Sequence, residues 1–272
     1  MEKRREDVLT GEEGSPASDA QSLATFLPAF LEEVNDRHRT GGISLLGFDT
    51  GMPLLNRWTL GLDGVIVLAG RPGSGKSTLS LQWGVDIARG TPAMNGKRFP
   101  FLLYSFVMSK RRITAKILSR LTDRLSDTEI LMGRVFPETL EKLTEIVRGQ
   151  VSPATFERLK EETWELVRSA GETLATFSGN IRIYTPEDCP RGVTPELIRD
   201  QIRTARQQTG ADRVFVVIDA LHDLIAQPCF REIGDTPRER MDYLVPVLKG
   251  ISETTRSSIL LVSQRRRRVR GA

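Results

Sequence analysis

One run, Gly70-Arg71-Pro72-Gly73-Ser74-Gly75-Lys76-Ser77-Thr78, limits what this chain can fold into more than any other feature. It fits the phosphate-cradling pattern GxxxxGK[ST], which requires a buried strand before it and a helix after it. Both signals are present. Val65-Ile66-Val67-Leu68-Ala69 is an unbroken apolar run, and Leu79, Trp83 and Ile87 recur at helical spacing. Gly70, Gly73 and Gly75 allow the backbone to curl so that its N–H groups converge on phosphate oxygens, and the helix start adds partial positive charge. In such a loop the lysine, here Lys76, reaches the β- and γ-phosphates of a nucleoside triphosphate, and the hydroxyl of Ser77 ligates Mg²⁺.

The rest of the chain alternates strand and helix signals. A second apolar strand is expected from Phe101 to Met108, followed by a helix marked by Ile113, Ile117, Leu121 and Leu125. Ser126 with Glu129 forms a capping box for another helix. Residues 138–176 read as helical and polar, with Leu140, Leu143, Ile146, Phe156, Leu159 and Val167 as candidates for burial. Ile181 to Tyr184 is a short strand, and Thr194-Pro195-Glu196 opens a helix that stops at Gly210. Val214-Phe215-Val216-Val217-Ile218 is wholly apolar, as a central parallel strand covered on both faces requires. Met241, Leu244, Leu248 and Ile251 mark a helix that Pro246 bends, and Ile259 to Val262 is a last strand ending at Ser263-Gln264. Strands alternating with helices predict a parallel, doubly wound α/β sheet.

In open parallel sheets, ligands bind beyond the carboxyl ends of the strands. Asp219 closes the central apolar strand and fits the carboxylate that orients Mg²⁺ in P-loop NTPases. Gln264 closes another strand, where an amide can sense the γ-phosphate or position water.

Composition bounds the remaining readings. The chain has 272 residues, 39% hydrophobic and 27% charged, with a formal charge of +4. That suits one α/β domain with a helical insertion. No apolar stretch approaches the roughly 20 residues that span a bilayer, and no apolar region follows the charged start, so neither a membrane span nor a secretory signal is expected. Cys189 and Cys229 read as two free thiols in a reducing cytoplasm. Residues 1–20 are expected to be disordered. Residues 21–40 form an amphipathic linker helix, with Leu23, Phe26, Leu27, Phe30, Leu31 and Val34 on one stripe and Pro28 in the first turn or at a kink. That stripe packs on its own domain or docks on a neighbouring subunit. Residues 41–264 form the nucleotide-binding domain, loop-rich from 41 to 64 and mainly helical from 110 to 180. Residues 265–272 form a basic tail, with Arg265 to Arg268 and Arg270, which binds nucleic acid or is simply solvated.

Taken in order, the segments resemble the RecA-like motor domain of DnaB-type replicative helicases. Thr50-Gly51-Met52-Pro53-Leu54-Leu55 and Gly61-Leu62 resemble that family's lead-in to the P-loop. Ser105-Phe106-Val107-Met108-Ser109 resembles its Ser-Leu-Glu-Met-Ser segment, and Ile218-Asp219-Ala220-Leu221 its Ile-Asp-Tyr-Leu. Leu248-Lys249 and Leu261-Val262-Ser263-Gln264 resemble its later helix and Ser-Gln strand end. The resemblance runs from about residue 41 to 264. It implies an ATPase that couples MgATP to single-stranded DNA in a homo-oligomeric ring, such as a hexamer, with an arginine supplied in trans. The arginines between 265 and 270 are the candidates for that role.

Two departures qualify this. The family's water-activating glutamate falls at Val107, and Ala220 leaves the position after Asp219 equally without a base. Loss of such a base costs roughly 10²–10⁴ in rate while MgATP binding need not suffer. The family also continues past Ser-Gln, where this chain stops at Ala272, which would make the P-loop strand an exposed edge unless residues between Ile43 and Phe48 cover it. A hydrolytically weak switch or loader, and a truncated helicase remnant, are therefore the alternatives to a motor. No Asn-Lys-x-Asp guanine-reading pattern is present, which disfavours a GTPase.

Overall fold

The computed structural model describes residues 23–39, 45–132 and 153–264. The chain divides into two units, Met1–Ser44 and Leu45–Ala272. In the first, helix α1 spans Leu23–Arg39 and carries Pro28 inside it, beyond the first turn. Leu23, Leu27, Phe30, Leu31 and Val34 are exposed along it. The expected disordered segment, the basic tail, Ile43, and the burial candidates Leu140, Leu143 and Ile146 lie outside the described residues.

The second unit is built on five strands: β1 (Val65–Gly70), β2 (Phe101–Ser105), β3 (Ile181–Tyr184), β4 (Val214–Asp219) and β5 (Ser257–Gln264). All pairings are parallel, in the order β1-β5-β4-β2-β3. The side chains of these apolar strands sort by alternation into two cores. Leu102, Tyr104, Val216, Ile218, Ile259 and Leu261 face one core with Ile198, Ile202, Leu244 and Leu248. Those last four come from α7 (Pro195–Thr209) and α9 (Pro237–Thr255). Phe101, Leu103, Phe215, Val217, Leu260 and Val262 face the other core with Leu81, Trp83, Val85, Ile113 and Ile117. These belong to α3 (Lys76–Arg89) and α4 (Lys110–Thr122). Among the described residues of this unit the other α-helices are α2 (Pro53–Thr59), α5 (Asp127–Met132), α6 (Pro153–Ala175) and α8 (Leu221–Ile225).

Several local signals act as their chemistry requires. Thr194 caps α7 by accepting from the Leu197 N–H at 3.2 Å, and Gly210 ends it in the left-handed region at φ 66°. Ser126 and Glu129 satisfy each other's backbone N–H at the start of α5, at 2.7 and 3.2 Å. Three expectations need correction. Strand β2 ends at Ser105, not Met108, because the Ser105 hydroxyl accepts from the Met108 N–H at 3.2 Å and donates to its carbonyl at 3.1 Å, closing a turn. The lead-in to β1 contains helix α2, with Pro53 in its first turn and Asn56 donating to Asp49 at 2.6 Å. Leu125 lies past the end of α4, where Asp123 turns left-handed.

Among the described residues strand β1 pairs only with β5 and stands at one side of the sheet, with Val67 exposed. Phe48 forms an antiparallel bridge with Leu62, ahead of β1.

Gly84, in the middle of α3, lets this helix lie directly on the sheet. A Cβ there would come within 2.2 Å of the ring of Phe101, which is fully buried. Gly84→Ala gains about 1 kcal/mol of helix propensity. The overpacking costs about 1–3 kcal/mol, and Phe101, tilted against Phe215 at 6.0 Å, has no room to yield. A net loss of up to about 2 kcal/mol is expected in urea titration; a variant more stable than the parent would show that the ring can move.

Candidate functional site

The carboxyl ends of four strands meet at one edge of the sheet. Register places Gly70 of β1 beside Gln264 of β5, and Ser105 of β2 beside Asp219 of β4. Asp219 in turn lies level with Val262, so β5 runs two residues further and carries Gln264, exposed, past the carboxylate.

Between β1 and α3 the chain forms the loop Arg71 to Gly75, exposed throughout. Gly73 and Gly75 sit at φ 75° and 83°, a conformation that a side chain would strain, and Gly75 is the residue that precedes the first turn of α3. No side chain caps that turn, so its leading N–H groups are available to an anion. Thr78 is exposed in the same turn. Lys76 is only 8% exposed. Its Nζ donates to the Arg71 carbonyl at 2.7 Å and lies 3.5 Å from the Ser74 hydroxyl. The lysine thus folds back across its own loop, with its stem passing 3.4 Å from where a Cβ on Gly70 would be. Pro72, at the exposed crest, contributes no N–H.

Asp219 is 3% exposed. Burial pushes its carboxyl above the usual carboxylate range, and the nearby Asp223 adds to this. A hydrogen bond from Ser77, the charge of Lys76 and the neighbouring His222 work in the opposite direction. A buried carboxylate beside a hydroxyl gives two hard oxygen donors. Mg²⁺ takes few protein ligands and keeps several waters, so this pair fits it better than a closed protein cage would. Among the described residues no group of three or more His, Cys, Asp or Glu side chains could hold a metal ion.

Strand β2 brings a different residue to this edge. The Phe106 N–H donates to the Asp219 carbonyl at 2.8 Å, tying the exit of β2 to the end of β4. The next residue, Val107, is 62% exposed and offers no proton acceptor. His222 and Asp223 follow Asp219 on α8, so a carboxylate-ended strand continues into a His-Asp pair that the sequence pattern alone does not single out.

A cleft of about 540 Å³ lies elsewhere, between α3 and α4, and is crossed by the Arg120–Asp86 ion pair at 2.6 Å. Thr78 is its only lining residue from the glycine loop and lysine turn, so it is distinct from the open phosphate-facing surface. Among the described residues no helix is long and apolar enough to cross a membrane.

A family model described as an AAA domain matches residues 52–268. One solved ATPase domain superposes with a TM-score of 0.61 at 20% identity, over 92% of this chain and 74% of that one. A DnaB-like replicative helicase, solved for its interactions with primase, superposes with a TM-score of 0.62 at 18% identity, over 100% of this chain and 54% of that one. The chain therefore spans about half the length of that helicase. No curated protein matches the sequence. At these identities the likeness is one of fold: the RecA-like α/β architecture of DnaB-like helicase ATPase domains is the architecture observed.

Proposed function

The chain belongs to the AAA domain family, and on that premise we propose that it binds MgATP at the Gly70–Thr78 loop and hydrolyses it as a P-loop ATPase of the DnaB-like helicase kind. The observation that carries this is the convergence of the buried Lys76, the Ser77–Asp219 oxygen pair and the uncapped start of α3 at one edge of a parallel sheet. In this reading the loop amides and Lys76 neutralise phosphate charge, Ser77 and Asp219 hold Mg²⁺, and Gln264 reads the γ-phosphate from the neighbouring strand tip. When bound, Mg²⁺ would offset charge on the β- and γ-phosphate oxygens. Coupling to single-stranded DNA in a homo-oligomeric ring in the cytoplasm is proposed from the sequence resemblance. The domain division is proposed to follow function, with 21–40 as a linker helix, 41–264 as the ATPase domain and 265–272 as a basic tail.

A second reading is favoured by Val107: a switch or loader that binds nucleotide and turns it over slowly or not at all. ATP turnover by the purified chain, with and without single-stranded DNA and beside Val107→Glu, separates the two. DNA-stimulated turnover by the native chain supports the motor. Tight MgATP binding without turnover, with Val107→Glu gaining roughly 10²–10⁴ in rate, supports the switch.

A further inference from the structure

We infer that His222 is the proton acceptor for the attacking water at this nucleotide site, with Asp223 holding its ring; the inference rests on the ATPase reading above. Neither Val107 nor Ala220 can take a proton, so a base for faster hydrolysis at this site has to be another residue. Strand β4 supplies one by continuing from Asp219 directly into α8 (Leu221–Ile225). The Asp223 N–H donates to the Ala220 carbonyl at 3.1 Å, which fixes this turn against the strand end. His222 and Asp223 therefore stand three and four residues past Asp219, at the carboxyl end of β4.

The pair itself has unspent capacity. Asp223 Oδ2 is buried and has no hydrogen-bond partner among the described residues, yet it lies 3.3 Å from His222 Nε2. That separation suits an ion pair, and a small ring rotation aligns it as a hydrogen bond. The His222 side chain is 47% exposed, so water reaches it. A hydrogen on Nε2 turned toward Asp223 leaves Nδ1 with the free lone pair. Asp223 then holds the ring with Nδ1 free, as in other carboxylate-oriented histidine bases. The step balances without an added reactant. The water oxygen bonds to the γ-phosphorus while the bond from that phosphorus to the bridging oxygen breaks. ADP leaves with the electron pair, and the water proton passes to His222 Nδ1 and then to solvent.

The chain has only two histidines, His38 and His222, which makes the test clean. In a His38→Gln background, ¹⁵N NMR follows the His222 imidazole alone. Adding Mg²⁺ with a non-hydrolysable ATP analogue is expected to shift its ring resonances. His222→Gln is expected to lower turnover about 100-fold with analogue affinity changed less than about threefold, and Asp223→Asn about 10-fold. Free imidazole is expected to restore part of the turnover of His222→Gly, which a merely structural role would not allow. The inference is overturned if the analogue binds without moving the His222 resonances. It is equally overturned if His222→Gln turns over like the parent, or if the parent binds nucleotide and never hydrolyses it. Failure of the parent to bind nucleotide at all sinks the ATPase reading, and this inference with it.

Discussion

Lys76→Ala is expected to weaken MgATP binding by at least about 100-fold, roughly 2.7 kcal/mol, with little change in the stability of the unliganded protein. The two halves of this expectation have separate causes. Lys76 is nearly buried, yet among the described residues its ammonium bonds within its own loop, to the Arg71 carbonyl at 2.7 Å and the Ser74 hydroxyl at 3.5 Å. A phosphate oxygen would replace that carbonyl as a far stronger partner, because the new hydrogen bond joins two full charges in a partly desolvated setting. Alanine removes this interaction and leaves the phosphates facing amides alone. It does not disturb the helix, since alanine is the best helix former and Lys76 is the first residue of α3. Thermal melting reads both halves. With ligand at about 100 times its Kd, the parent gains about 2.7 kcal/mol, or roughly 5–10 °C for a unit of this size. The variant is expected to melt near the unliganded parent whether or not MgATP is present. A full ligand-induced shift in Lys76→Ala would place the nucleotide somewhere other than this loop.

The reason this site could be read from sequence at all is that its parts are local. The loop, the strand before it and the helix after it occupy one continuous stretch, so glycine spacing and apolar periodicity suffice. Strand β4 was equally legible, since six consecutive buried positions ending in aspartate leave little else for Val214–Asp219 to be. What escaped depended on pairing or on short-range polar wiring. That Gln264 stands beside Gly70 follows from the register of β5 against β1, across nearly two hundred residues of chain, and no local pattern encodes it. Helix α2 was hidden because its seven residues, Pro53–Thr59, are too short for a period, and its stop is a left-handed Leu60, not a glycine. The early end of β2 rests on one serine hydroxyl turning back on Met108. The His222–Asp223 pair was overlooked for a related reason: two adjacent polar residues after a strand look like an ordinary turn until the neighbouring carboxylate is placed.

Asp219→Asn is expected to act in opposite directions on the unliganded and liganded protein. In the folded chain the Asp219 carboxyl is pushed above its ordinary value of 3.8, first by burial and then by Asp223. A group whose folded pKa exceeds its unfolded pKa destabilises the fold when ionised. The penalty is absent below the unfolded value, grows as pH rises through the two pKa values, and is complete above the folded one. Asparagine keeps the shape and can still accept from Ser77, but it carries no charge to desolvate. At neutral pH the unliganded variant should therefore be more stable, on the order of 1 kcal/mol or about 3 °C in melting temperature. The gain should vanish as pH is lowered below about 4, where the parent's carboxyl is protonated in both states. With MgATP the order should reverse. The amide is a poorer Mg²⁺ ligand than a carboxylate, so the variant's ligand-induced shift should shrink to what the parent shows with ATP and a chelator. The unfavourable charge is then the one that a divalent cation would compensate, which is how a site can be unstable when empty and stable when filled. Melting curves from pH 3 to 8, with and without MgATP, decide the matter. A variant less stable at every pH would make Asp219 a structural residue, and an undiminished MgATP shift would remove it from the metal site.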